Sequence, residues 1–267
     1  MSGAGGAAFT GVGCSLTGYV AFPGDFDGDG TPDCALTPSG SGEVFSTLVS
    51  FYKGVGGGMY QTTPITSNLS CTTPPDWWAV ADLDGDGRDD IVIGGDSGRG
   101  SYGDALLRGQ PDGTFQCGGG AAMPGKPTPG VTIGDFTNDG HKDIFLVTLS
   151  TPRTNQVQWI VLTATGGVGS TQLIAKVTNP GFIVGALGAA TAGAAQYLDG
   201  DSNLDVVVNA EIRGMGDGIG APQTVNVYGN GDGTFHCGAG QTVAVPNPTQ
   251  QTGMDVCQST GVYVYQP

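Results

Sequence analysis

Four nine-residue segments concentrate aspartate at alternate positions: DFDGDGTPD at 25–33, DLDGDGRDD at 82–90, DFTNDGHKD at 135–143 and YLDGDSNLD at 197–205. Positions 1, 3, 5, 7 and 9 would carry the chemistry. In the first segment these are Asp25, Asp27, Asp29, the Thr31 carbonyl and Asp33. In the second they are Asp82, Asp84, Asp86, the Arg88 carbonyl and Asp90. The third offers Asp135, Thr137, Asp139, His141 and Asp143; the fourth offers Asp199, Asp201, Asn203 and Asp205, with Tyr197 at position 1. Oxygen donors gathered this way suit Ca²⁺, a hard cation that takes about six to eight oxygens. Without a cation, carboxylates so close would repel one another. Three to four calcium sites are expected, strongest in the first two loops, weaker in the third, where Thr137 stands at position 3, and weakest in the fourth. An EF-hand is excluded, because its acidic twelfth position is here Leu36, Ile93 or Leu146.

The surrounding elements are strands. Each loop runs into a short apolar stretch: Cys34–Leu36, Ile91–Ile93, Ile144–Val147 and Val206–Val208. Such runs bounded by turn signals read as buried strands. Position 2, which is Phe26, Leu83, Phe136 or Leu198, would anchor each loop in the apolar layer. A second repeated element follows downstream as GQPDGTFQC at 109–117 and GNGDGTFHC at 229–237, with a looser copy, GVGGGMYQT, at 54–62. Its Asp-Gly pairs mark hairpin turns. Each repeat, of about 55 residues, therefore builds a four-stranded antiparallel sheet, the unit of a β-propeller. One propeller domain is expected over 1–267, with repeats starting near 25, 82, 135 and 197. The C-terminal GVYVY at 261–265 resembles the strand before the hairpin, and residues 3–10 resemble the strand after it. A closing blade from 250–267 plus 1–14 would make about five blades and remove exposed sheet edges.

Composition agrees. Glycine supplies 50 of the 267 residues without a Gly-X-Y period, so collagen is excluded. Only Glu43 and Glu211 are glutamates among 24 acids. Aspartate favours turns and caps over helices. A net charge of −15 argues against nucleic-acid binding. The uncharged stretch 177–198 runs straight into a repeat, so membrane insertion is not expected. Six cysteines without a CxxC pair suggest disulfides outside the cytosol. Cys14 and Cys34 are 20 apart, as are Cys237 and Cys257, which leaves Cys71 with Cys117; this is one of 15 formal connectivities. Residues 1–11 have no basic segment and no apolar run, so the chain reads as the mature part, or an excised piece, of a secreted or cell-surface precursor.

The pattern D-x-[DN]-x-D-G-x-x-D, its following strand and the downstream G-x-G-D-G-T-F resemble the FG-GAP or VCBS repeat, similar to the calcium-binding blades of integrin α-subunit propellers. The resemblance covers roughly residues 17–245 and implies a calcium-stabilised propeller. Family propellers often have more blades than this chain has room for. Such repeats occur in adhesins, lectins, toxin-associated shells and polysaccharide-active enzymes.

Catalytic motifs fail one by one. Gly95-Asp96-Ser97-Gly98 resembles a serine-protease nucleophile, but the histidines are His141, inside a metal loop, and His236, beside Cys237. Most aspartates that could form a glycosidase pair are assigned to calcium. Two binding readings remain. The first is a structural or adhesive module that engages a protein at the cell surface or assembles with itself. The alternative is a lectin, in which Trp77, Trp78, Trp159, Tyr102 and Tyr228 stack on sugars rather than pack between blades.

Overall fold

The computed structural model describes residues 13–38, 48–69, 77–96, 102–118, 122–123, 125–150, 157–165, 172–179, 187–212, 222–237, 242–243, 254–255 and 261–265. Among them the protein is all-β, in four larger antiparallel sheets whose first four strands follow the chain as a meander, and two two-stranded ones. The first sheet runs Tyr19–Gly24, Asp33–Pro38, Leu48–Tyr52, Ile65–Asn68. The second runs Trp77–Ala81, Asp90–Asp96, Tyr102–Gly109, Phe115–Cys117, with Ala122–Met123 also pairing on its third strand. The third runs Gly125–Gly134, Asp143–Ser150, Val157–Thr165, Gln172–Asn179. The fourth runs Leu187–Gln196, Asp205–Ile212, Pro222–Gly229, Phe235–Cys237. In every sheet the Asp-rich loop joins the first strand to the second.

The sheets pack face to face in chain order. Side chains alternate along a strand, so the second strand of the second sheet sends Ile91 and Ile93 to one face and Val92 to the other. Ile91, Ile93, Leu107 and Phe115 meet Phe22, Phe26, Val49 and Phe51 of the first sheet. Val92 and Leu106, with Trp77 and Ala79, meet Ile144, Leu146 and Leu162 of the third. The apolar runs are thus strands buried on both faces. Between the third and fourth sheets, Phe235 sits edge-on to Phe145 and Phe136, with centroids 4.9 and 5.7 Å away. Each such buried aromatic contributes roughly 1.5–3 kcal/mol.

Three expectations change. Residues 54–62 are not the turn between third and fourth strands; Gly54–Gly56 and Met59–Tyr60 form a separate small hairpin, and the fourth strand is Ile65–Asn68. Three consecutive positive-φ glycines, Gly56 to Gly58, let that hairpin close early. The C-terminal strand Gly261–Tyr265 pairs with Gln172–Asn179 as a fifth strand of the third sheet. Its alternating Val and Tyr suit any free antiparallel edge, and residues 1–12, its expected partner, lie outside the described residues. Trp77 is buried between the second and third sheets, where a Cβ on Gly94 would meet its indole, so it offers no face to a sugar. Trp78 is 39% exposed, in edge contact with Phe22, and Tyr228 lies tilted against His236. The side chains of Trp159 and Tyr102 lie outside the described set. Within 177–198 the residues 177–179 and 187–196 are strands, and no helix among the described residues is long and apolar enough to cross a membrane.

Candidate metal centre

Each loop is shaped by its own backbone donors. The Asp25 carboxylate accepts the N–H groups of Gly28 and Asp29, both at 3.0 Å, and of Gly30 at 2.8 Å. Asp82 accepts those of Gly85 and Gly87 at 2.8 and 3.0 Å, and Asp135 those of Asp139 and Gly140 at 3.1 and 3.0 Å. The turn needs left-handed residues at position 4. Gly28, Gly85 and Gly200 fill it at φ 75°, 74° and 86°, and Asn138 fills it at 55°. Asparagine tolerates this region better than most residues. The N–H of position 7 donates to the carboxylate of position 5 in all four loops: Thr31 to Asp29, Arg88 to Asp86, His141 to Asp139 and Asn203 to Asp201, at 2.7–2.9 Å.

Position 9 ties the loop to the sheet. Asp33, Asp90, Asp143 and Asp205 are buried, and each accepts the N–H of its loop's position 2: Phe26, Leu83, Phe136 and Leu198. The other oxygen of Asp33, Asp90 and Asp205 accepts the N–H of Gly54, Gly109 and Gly229, at 2.7, 3.3 and 2.9 Å. Those glycines open the three copies of the second repeated motif. A Cβ there would lie 2.1 Å from the Pro32 carbonyl oxygen, 2.5 Å from that of Phe26 and 2.2 Å from that of Leu204, so only glycine lets strand and loop approach. Sequence reading gave these opening glycines no role and missed their part as donors. In the third sheet Ala164 holds the same register; the Thr137 N–H and hydroxyl donate, at 2.9 and 3.0 Å, to the same Asp143 oxygen that takes the Phe136 N–H, and the other oxygen is buried without a hydrogen-bond partner among the described residues.

Three loops bring carboxylate oxygens from three aspartates within 4.8 Å of one another: Asp25, Asp27 and Asp29; Asp82, Asp84 and Asp86; Asp199, Asp201 and Asp205. The third loop forms no such cluster among the described residues, and its position 3 is Thr137, which brings no carboxylate. Tyr197 is 63% exposed, and the fourth cluster draws on positions 3, 5 and 9.

The charge is under strain without a cation. Burial, reinforced by Asp27, pushes Asp33 up to about 6. Burial, with Asp84 and Asp86 nearby, pushes Asp90 up to about 8. Burial likewise raises Asp143, and it raises Asp86 beside Asp84 and Asp82. Protein cations reach two loops. Lys53 pairs with Asp27, and with Asp29 at 2.6 Å; Arg88 pairs with its own loop's Asp86. All-oxygen donors and buried carboxylates destabilised by their neighbours fit a hard divalent cation.

The loops also touch one another in a constant register, position 4 of one against position 7 of the next. A Cβ on Gly28 would meet Arg88, and one on Gly85 would meet the His141 ring; Asn138 Nδ2 donates to Asn203 Oδ1 at 2.7 Å. Beside the first loop, a disulfide joins Cys14 to Cys34. Cys117 is also disulfide-bonded, while Cys71, Cys257 and the Cys237 side chain lie outside the described set.

Comparison with known proteins places two overlapping matches to the FG-GAP-like repeat, at residues 25–93 and 82–146. Each runs from one Asp-rich loop through the strand that follows the next. No curated protein matches the chain.

Proposed function

We propose, from the premise that residues 25–146 belong to the FG-GAP/VCBS repeat family, that the chain is an extracellular, calcium-stabilised β-propeller whose blades include the four sheets described above. It acts as a structural or adhesive module toward a protein partner or further copies of itself. The observation that carries the calcium reading is the buried position-9 aspartate, locked to the sheet and set against further acids in the same loop. Asp25, Asp27, Asp29, Asp33 and the Thr31 carbonyl would hold the first ion. Asp82, Asp84, Asp86, Asp90 and the Arg88 carbonyl would hold the second. Asp135, Asp139, Asp143, Thr137 and His141 would hold a third, and Asp199, Asp201, Asp205 and Asn203 another. A bound ion supplies the positive charge that lets these carboxylates stay ionised together. The protein's own part is to fix their directions, through the N–H donors at positions 4 to 7 and through the glycine on the third strand. Secretion accords with the Cys14–Cys34 disulfide.

Chelation tests the reading. Extracellular modules bind Ca²⁺ with dissociation constants of about 10⁻⁴ to 10⁻³ M, so millimolar calcium stabilises by linkage and EDTA removes that stability. An unchanged melting temperature in EDTA refutes the metal assignment. A glycan array and a polysaccharide-degradation assay should both be silent, and a defined sugar ligand would favour the lectin.

A further inference from the structure

The lateral contact between the first two loops differs in chemistry from the others. Position 8 of the second loop is Asp89. Its N–H donates to the Asp25 carbonyl at 2.8 Å, and its carboxylate accepts the Asp25 N–H, also at 2.8 Å. Both backbone groups of Asp25, the first ligand position of the first loop, are therefore clamped by one residue of the second. That residue lies between Arg88 and Asp90, two ligand positions of its own loop.

The same seat recurs with different chemistry. A Cβ on Gly24 would lie 3.0 Å from Asp89 Oδ2, and a Cβ on Gly134 would lie 2.8 Å from Leu204 Cδ1, where Leu204 is position 8 of the fourth loop. The sheets thus place position 8 against the strand that enters the preceding loop. Position 8 is Pro32, Lys142 and Leu204 in the other loops, none of which can accept a hydrogen bond through its side chain.

We propose that the first two loops take up their ions as a coupled pair, with Asp89 as the positioning residue that joins them. The proposal rests on the calcium reading above. An ion at the second loop fixes the backbone from Arg88 to Asp90 and, through the two hydrogen bonds, the backbone of Asp25. The first loop then has less ordering left to do when its own ion arrives. Coupling of this kind is reciprocal.

The test follows calcium titrations of the whole chain by calorimetry and by amide NMR. The Gly30 amide reports the first loop and the Gly87 amide the second, since each donates to its loop's position-1 carboxylate. In the wild type, disabling the second loop with D84A should weaken calcium at the Gly30 reporter by roughly five-fold or more. In D89L, which places at this seat the residue that the fourth loop already uses and keeps only the backbone bond to the Asp25 carbonyl, the first loop should bind more weakly, and adding D84A should weaken it by clearly less than in the wild type. D89S, too short to reach Asp25, should behave like D89L should that variant fold poorly, and D89N, which keeps an acceptor oxygen, should stay near the wild type. Unchanged titration of the Gly30 amide in D89L and D89S overturns the coupling while leaving the metal sites standing. No calcium heat from the wild type overturns the metal reading and the coupling with it.

Discussion

Replacing Gly54 by alanine isolates the junction between loop and sheet. The Gly54 N–H donates at 2.7 Å to Oδ1 of Asp33, a carboxylate fully removed from solvent. An added Cβ would sit 2.1 Å from the Pro32 carbonyl oxygen and 2.9 Å from its carbon. Both are backbone atoms, so no rotamer change relieves the overlap, and the small hairpin that Gly54 opens must withdraw from the loop. Withdrawal removes a donor from a buried carboxylate, at a cost of about 1–3 kcal/mol. Forced displacement in a packed region costs about 1–3 kcal/mol more. The sum, roughly 2–6 kcal/mol, corresponds to a fall of about 4–24 °C in melting temperature at about 2–4 °C per kcal/mol. The assay is a thermal melt followed by circular dichroism in saturating calcium. Gly30→Ala is the control. Gly30 has φ +82° and nothing within 4 Å of the added Cβ, so only the left-handed penalty of about 1–2 kcal/mol applies. A G54A protein that melts within about 2 °C of the wild type, or above G30A, refutes the reasoning.

The metal-free protein should have an inverted pH dependence. Asp33 and Asp90 hold protons up to about 6 and about 8 in the folded state, while the unfolded chain releases them near pH 3.9. Stability from these groups is therefore complete below about pH 4 and is lost as pH rises through the folded values. In EDTA the melting temperature should rise as pH is lowered from 8 toward 5. Saturating calcium should remove the trend, since the ion requires ionised ligands; a metal-free melt that climbs with pH over this range contradicts the account. Gly94→Ala would drive a Cβ to 2.1 Å from the Trp77 indole, so it should destabilise by about 1–3 kcal/mol and shift the tryptophan emission; unchanged emission and melt would count against the burial of Trp77. Losing the Cys14–Cys34 bridge in C34A should cost about 2–4 kcal/mol. Peptide mapping without reductant should recover Cys14–Cys34 together with a Cys71–Cys117 pair; a different partner for Cys117 would break the assumed register.

The all-β class and the four loops were legible in the sequence because what makes them is local. The hydrogen bonds that shape each loop span two to seven residues, as from Asp25 to Gly28, Asp29 and Gly30, and their left-handed turns fall on glycines or Asn138. The apolar runs were legible for the same reason, since a strand covered on both faces reads as continuous hydrophobicity. Trp77 was ambiguous because an exposed stacking face and a buried one have the same composition.

What only the tertiary structure decided is everything that depends on how one sheet is offset against the next. Gly54 lies 21 residues from Asp33, and Asp89 lies 64 from Asp25. No local pattern says that the first glycine of the second motif donates to the last aspartate of the loop. None says that position 4 of one loop meets position 7 of the next, or that Lys53 reaches Asp27 and Asp29. Those pairings follow from strand register and face-to-face packing, which fix where distant backbone groups meet after the local conformations are set. The sequence alone therefore determined which residues make the loops, and the stacking of the sheets decided which of them are joined.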